Sequence, residues 1–135
     1  MLLRLFVAAV LGAVIGYERE SAGKPAGVRT HGMVSLGAAL FTLVSLYGFG
    51  GASDPARVAA QVVTGIGFLG AGAILHQRDL VHGLTTAASL WVTAAIGVSV
   101  GAGMELMSIA TAILVFLLLR FGPRPGAKPS QDHLE

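Results

Sequence analysis

Glu18, Arg19, Glu20, Arg29, Thr30 and His31 form the densest run of side chains able to carry charge or share protons. Glu18 and Arg29 flank an interval of only ten residues, short enough for the two to approach each other. Further on, Gly83-Leu84-Thr85-Thr86 opens a second polar point at the start of another apolar run. Helices beginning near Val28 and Leu84 would turn free first-turn N–H groups and positive dipole ends toward the same face, a setting suited to an anion or a carboxylate. Thr30, Thr85 and Thr86 can cap those helix ends or bind a ligand there. Two readings stay open: a functional polar site, or interfacial anchoring with a salt bridge, because ionisable groups near a membrane boundary are cheaper than those at its centre. Arg57 and Gln61 lie one helical turn apart and make a second polar pair. Gln61 shares a helix side with Gly65 and Gly72 and is expected to reach a neighbouring backbone across the glycine gap. Trp91 lies mid-segment, where it either packs between helices or walls a cavity.

Other chemistries are disfavoured. With no cysteine there is no disulfide framework, thiolate nucleophile or Cys-based metal site. His31, His76 and His82 show no H-E-x-x-H spacing. The acids near them, Glu18, Glu20 and Asp79, are diluted by arginines, so no metal site and no cofactor is expected. Ser35, Ser45, Ser89 and Ser99 lack a G-x-S-x-G context, and an enzyme is not expected. The net charge of +2 is small, and the basic residues flank apolar runs, which suits orientation in a bilayer rather than nucleic-acid binding.

The elements that must position these residues are apolar. Of 135 residues, 54% are hydrophobic and 12% charged, and the mean hydropathy is +0.76, a composition for a membrane domain. Five apolar segments stand out: Leu2–Tyr17, Met33–Phe49, Val58–Leu75, Leu84–Val100 and Leu106–Phe121. Each is at the short end for crossing a hydrocarbon core of about 30 Å, and charged flanks would extend the helices. The reading is all-α: a polytopic compact bundle of five transmembrane helices over residues 1–121, then a disordered tail over 122–135 with vector-derived residues a possibility at its end. Five crossings put Arg19, Lys24, Arg29, Arg78, Arg120, Arg124 and Lys128 on one face and Arg4 and Arg57 on the other. The richer face belongs in the cytoplasm, with the N-terminus outside and the C-terminus inside. Leu2–Gly16 runs into Glu18-Arg19-Glu20 without an A-x-A-like site, so a cleaved signal peptide is not expected.

Small residues organise the packing. Gly65, Gly67, Gly70 and Gly72 would each cost a water-soluble helix about 1 kcal/mol relative to alanine, but in lipid they let backbones approach closely. The third helix is therefore expected to sit at the centre of the bundle. Ala8, Gly12 and Gly16 form a contact strip on the first helix. Ser35, Ala38, Ala39, Thr42 and Ser45 share a face of the second. Thr86, Ser89, Thr93 and Gly97 make a small polar strip on the fourth, where Gly97 and Gly101 repeat the G-x-x-x-G spacing. The fifth helix, mostly Leu, Ile, Val and Phe, is expected at the lipid-facing edge. Ser53 or Asp54 can cap the third helix, with Pro55 at its first position. Gly27–His31 (G-V-R-T-H) also resembles Gly83–Ala87 (G-L-T-T-A), a hint of parallel repeats. The small-residue faces exceed what five helices need internally, which favours a homodimer or association with another membrane complex.

The stretches G-A-V-I-G-Y-E-R-E, A-G-V-R-T-H, R-V-A-A-Q-V-V-T-G-I-G-F-L-G-A-G and G-L-T-T-A-A-S-L-W-V-T-A-A-I-G together resemble the membrane domain of the MgtC/SapB family over roughly Leu2–Leu119. The resemblance implies a bacterial cytoplasmic (inner) membrane protein, multi-pass, linked to magnesium limitation and magnesium homeostasis, and in pathogens to virulence. It implies a non-enzymatic modulator acting through other membrane machinery, including the proton-translocating ATP synthase; the alternative is a small ion or solute transporter working as a homo-oligomer. The motif positions it carries over are Glu18, Arg19, Arg29, Thr30, Arg57, Gln61, Gly65, Gly67, Gly70, Gly72, Gly83, Thr85, Thr86 and Trp91. Longer members continue into a soluble C-terminal domain, whereas the sequence here ends about 14 residues after its last helix.

Overall fold

A computed structural model describes residues 1–49, 54, 56–77 and 80–123. It contains α1 (Leu2–Ser21), α2 (Val28–Tyr47), α3 (Ala56–Gly72), β1 (Leu75–Gln77), β2 (Leu80–His82), α4 (Leu84–Gly101) and α5 (Glu105–Phe121). The expectations for Ser53, Pro55, Arg78, Asp79, Arg124, Lys128 and the tail beyond Pro123 lie outside the described residues. The connection between α3 and α4 is not pure loop: β1 and β2 pair antiparallel, with Leu75 opposite His82 and Gln77 opposite Leu80. The architecture is all-α, with this short ladder confined to the α3–α4 connection.

Local signals set the helix ends. Gly23 lies just past α1 with φ +69. Its N–H bonds to Glu20 O and that of Lys24 to Arg19 O, a six-to-one and five-to-two pair that closes the helix. Gly103 does the same past α4 at φ +87, with Met104 N to Ser99 O and Gly103 N to Val100 O. Asp54 Oδ1 accepts from Ala56 N at 2.9 Å, so the cap expected for α3 is Asp54. Neither α2 nor α4 has a threonine cap: both start after a glycine, Gly27 and Gly83. Instead the Glu20 carboxylate reaches across the turn and accepts from Val28 N at 3.0 Å.

The centre of the bundle is α1, α2 and α4. Gly12 and Gly16 let α1 touch α2, since a Cβ on Gly12 would lie 2.8 Å from Ser35 Cβ and one on Gly16 2.7 Å from Val28 Cα. Gly97 and Gly101 let α4 touch the other side of α2, where a Cβ would lie 2.9 Å from Ala38 Cβ and 2.7 Å from Thr42 Cβ respectively. Ala8, Ile15, Ala39, Ile96, Val100 and Ala112 fill the core around these contacts. The helix α5 buries only Ser108 and Ala112 and stands at the edge, as its composition implies. At the end where α1 begins, Arg4 Nε donates to Glu105 Oε1 at 3.0 Å and Nη1 to Gly101 O at 3.3 Å.

The helix α3 is not central. It buries only Ile66 and Gly70 and leans mainly on α4. A Cβ on Gly70 would lie 3.7 Å from Ala87 Cβ, but one on Gly65, Gly67 or Gly72 would have nothing within 4 Å among the described residues. Four glycines make a helix smooth on several sides; only one of those sides is filled here. Gln61, expected to bridge the glycine gap, is exposed and makes no hydrogen bond among the described residues.

Candidate functional site

The inward strip of α1 continues past its glycines into charge. Ala8, Gly12, Ile15, Gly16, Glu18 and Arg19 are all buried, the last two each 4% exposed. Helical spacing places Arg19 on the inward face of α1, one turn beyond Ile15, from where its side chain reaches α4. There its Nη2 donates to Thr86 Oγ1 at 3.3 Å. Glu18 does not reach Arg29: its Oε2 lies 3.8 Å from Arg19 Nη1, and Arg29 is exposed with no ion pair among the described residues. The tight turn at Gly23 and the Glu20 cap rotate Arg29 outward, so the pairing expected across the loop is replaced by one between chain neighbours. Glu18 Oε2 and Arg19 Nε are buried without a hydrogen-bond partner among the described residues.

A polar ladder continues inward from Thr86. Ser89 Oγ lies 2.8 Å from Thr86 O and 3.0 Å from His31 Nε2, while His31 Nδ1 lies 3.1 Å from Gly27 O. A carbonyl only accepts, so Nδ1 carries the imidazole proton. With His31 neutral, the single Ser89 proton then goes either to Thr86 O or to Nε2. Thr93 Oγ1 donates to Ser89 O at 2.7 Å one turn on. Ser35 is fully buried between Gly12 and Gly97, its hydroxyl without a hydrogen-bond partner among the described residues. His31 and Ser89 are the buried polar pair that spacing alone did not join. Each helix strip was readable, but not the rotation bringing position 31 to position 89.

A cavity of about 360 Å³ opens at this end, lined by Glu18, Arg19, Lys24, His82, Thr85 and Thr86 with Leu118 and Leu119 of α5. Thus Glu18, Arg19, Thr85 and Thr86 come together. The other expected site residues do not. Thr30 lines an apolar groove of about 720 Å³ between α2 and α3, together with Gly37, Phe41, Gln61, Gly65 and Ile66. Arg57 and Gln61 border a second cavity of about 380 Å³ near Asp54, at the opposite end of the bundle from Arg19. Trp91 is 51% exposed and walls a crevice of about 310 Å³ between α3 and α4; it is not packed between helices. Among the described residues no three His, Asp or Glu side chains gather as a metal centre would require.

Two helices, α2 and α4, are long and apolar enough to cross a membrane. An apolar helical bundle with two such helices and a buried polar ladder has the character of a helical membrane protein. A family model described as the MgtC family matches residues 5–125, and the chain belongs to that family. It is 48% identical over 125 residues to the Escherichia coli K12 protein printed as "Putative magnesium transporter YhiD", covering 87% of this chain and 58% of that one. It is 45% identical over 122 residues to "Protein MgtC" of Salmonella typhimurium LT2, covering 88% and 52%. An uncharacterized protein of Haemophilus influenzae is 41% identical over 129 residues, covering 89% and 54%. The chain spans about half the length of the curated relatives it matches. No solved structure matches it.

Proposed function

We propose that the protein is a non-enzymatic, multi-pass component of the bacterial cytoplasmic membrane, linked to magnesium homeostasis, that works by helix–helix association through α3. The five helices cross the bilayer, with the Arg19 end in the cytoplasm. One observation carries this reading. Every glycine strip on α1 and α4 is filled by α2, whereas a Cβ on Gly65, Gly67 or Gly72 of α3 would meet nothing within 4 Å among the described residues, and Gly65 lines an apolar groove together with Gly37. In lipid, close backbone approach supplies the van der Waals contact that hydrophobicity cannot, so unfilled glycine faces are where another helix gains most. Gln61, exposed at that groove without a hydrogen-bond partner among the described residues, adds an amide that only another polar group can satisfy in hydrocarbon.

The occupant is a second copy in a homodimer, or a helix of another membrane complex, for which the ATP synthase is the partner that the resemblance suggests. Crosslinking from a cysteine placed at Gly67, followed by native mass spectrometry from bilayers, tests this. Dimers or a co-purifying subunit that disappear in a Gly65→Leu variant are expected. Monomers alone, in both proteins, would overturn the reading.

The polar ladder favours a second reading. Arg19, Thr86, Ser89, His31 and Thr93 thread the centre of the bundle, where a transporter would carry its path. The relative named for magnesium transport gives this its cargo class. Purified protein in liposomes showing flux of Mg²⁺, protons or common anions would establish it; tight, flux-free liposomes would remove it.

A further inference from the structure

We propose that the cavity between the C-terminal turn of α1, the start of α4 and the end of α5 is a binding site for a phosphate group. The group is carried either by a phospholipid headgroup or by free phosphate. Three independent features converge there.

The first is Arg19. Its side chain is 5% exposed, yet its guanidinium makes one hydrogen bond among the described residues, to Thr86 Oγ1, and its Nε makes none. A planar fork of five donors suits an oxyanion ligand that accepts several at once. The Glu18 carboxylate lines the same wall but stands 3.8 Å from Nη1, beyond hydrogen-bond reach. It orients the arginine without saturating it.

The second is the start of α4. Gly83 supplies no capping side chain, and the first helical hydrogen bond is Ala87 N to Gly83 O at 2.8 Å. The N–H groups of Leu84, Thr85 and Thr86 therefore remain as donors, and these residues line the cavity. Gly83 holds φ +91, and a Cβ there would run into Ala73 O, so the chain keeps the backbone bare at this point.

The third is the balance of charge and polarity around the opening. Arg19 and Lys24 against Glu18 leave the wall with one net positive charge, before any contribution from His82. The rim is apolar: Leu84 is 58% and Leu118 70% exposed. A phosphate in the cavity would thus continue onto leucine surface, the amphipathic outline of a phospholipid. The lipid arm rests on the membrane-spanning reading above; the phosphate arm does not.

Isothermal titration of the protein in a phosphate-free maltoside detergent tests this with three probes: inorganic phosphate, dihexanoyl-phosphatidylglycerol and dihexanoylglycerol. Saturable binding of the phospholipid at least tenfold tighter than of inorganic phosphate assigns a headgroup site. Comparable binding of both assigns a site for the phosphate alone. In either case, Arg19→Gln is expected to weaken binding at least tenfold. Because that variant loses a buried group and its fold is at risk, Lys24→Gln on the exposed rim is measured alongside. It is expected to weaken binding about threefold with an unchanged melting temperature. No heat with either phosphate-bearing probe, equal binding of dihexanoylglycerol, or affinities untouched by Lys24→Gln would overturn the proposal. Dimers detected by crosslinking would be unaffected by any of these results, so this site and the α3 interface fail separately.

Discussion

His31 Nε2 and Ser89 Oγ lie 3.0 Å apart, both wholly enclosed, tying α2 to α4 one turn inward of the Arg19–Thr86 contact. Removing the Ser89 hydroxyl leaves a buried ring nitrogen without its partner, a loss of about 1–3 kcal/mol. Thermal unfolding in detergent should show Ser89→Ala destabilised by that amount. A cycle with His31→Phe should give a coupling above about 0.5 kcal/mol, the scale at which contacting pairs stop being additive. Additive losses would mean that the two side chains do not share a proton.

The glycines should divide sharply by position. A valine at Gly97 would press on Ser35 and Ala38 of α2, and overpacking of this kind costs about 1–3 kcal/mol or more. A valine at Gly67 meets open space, so melting in detergent should change by less than about 1 kcal/mol, the size of the propensity difference alone. Equal losses at both positions would place α3 inside the bundle after all.

Glu20 closes the first turn of α2 from outside the helix, through Val28 N. A Glu20→Ala variant should lose about 1 kcal/mol, the usual worth of a capping side chain. Glu20→Gln keeps an acceptor and should recover most of that. Helix content by circular dichroism through the melt is the readout, with amide exchange at Val28 as a local check.

Trp91 is the protein's single tryptophan, half exposed on the outer side of α4. In the five-span arrangement proposed here its ring faces acyl chains. Phospholipids brominated along the chain should quench its fluorescence strongly, and aqueous iodide only weakly. The reverse pattern would place this face in water.

Much of this architecture was readable before any coordinates. The strips Ala8–Gly12–Gly16, Ser35–Ala38–Thr42 and Thr86–Ser89–Thr93–Gly97 all turn inward, because periodicity reports which side of a helix is narrow and weakly polar. The glycines of α3 misled, because a run of hydrogens says that approach is permitted and not that a neighbour has taken the place. Chain distance allows Glu18 to approach Arg29, but Glu18 lies beside Arg19 instead. The turn at Gly23 and the cap from Glu20 decide the rotation of α2, and neither reads as a charge pairing. The short β1–β2 ladder gave no warning, being three residues on each side and set among charges. Of the residues lining the candidate cavity, Glu18, Arg19, Thr85 and Thr86 stand at helix ends that the sequence marks; the His31–Ser89 contact depends on the relative rotation of two helices, which no single strip contains.

The marginal seat of α3 also bears on biogenesis. The helices that close the core are the first, second and fourth to leave the ribosome, with the loosely held one emerging between them. In the membrane-spanning arrangement proposed above, the His31 ring and the α4 side of Ser35 stay unsheltered until α4 arrives, so insertion has a vulnerable interval whose length is set by translation of α3 and its hairpin. Slower translation across that stretch should then lower the yield of folded protein.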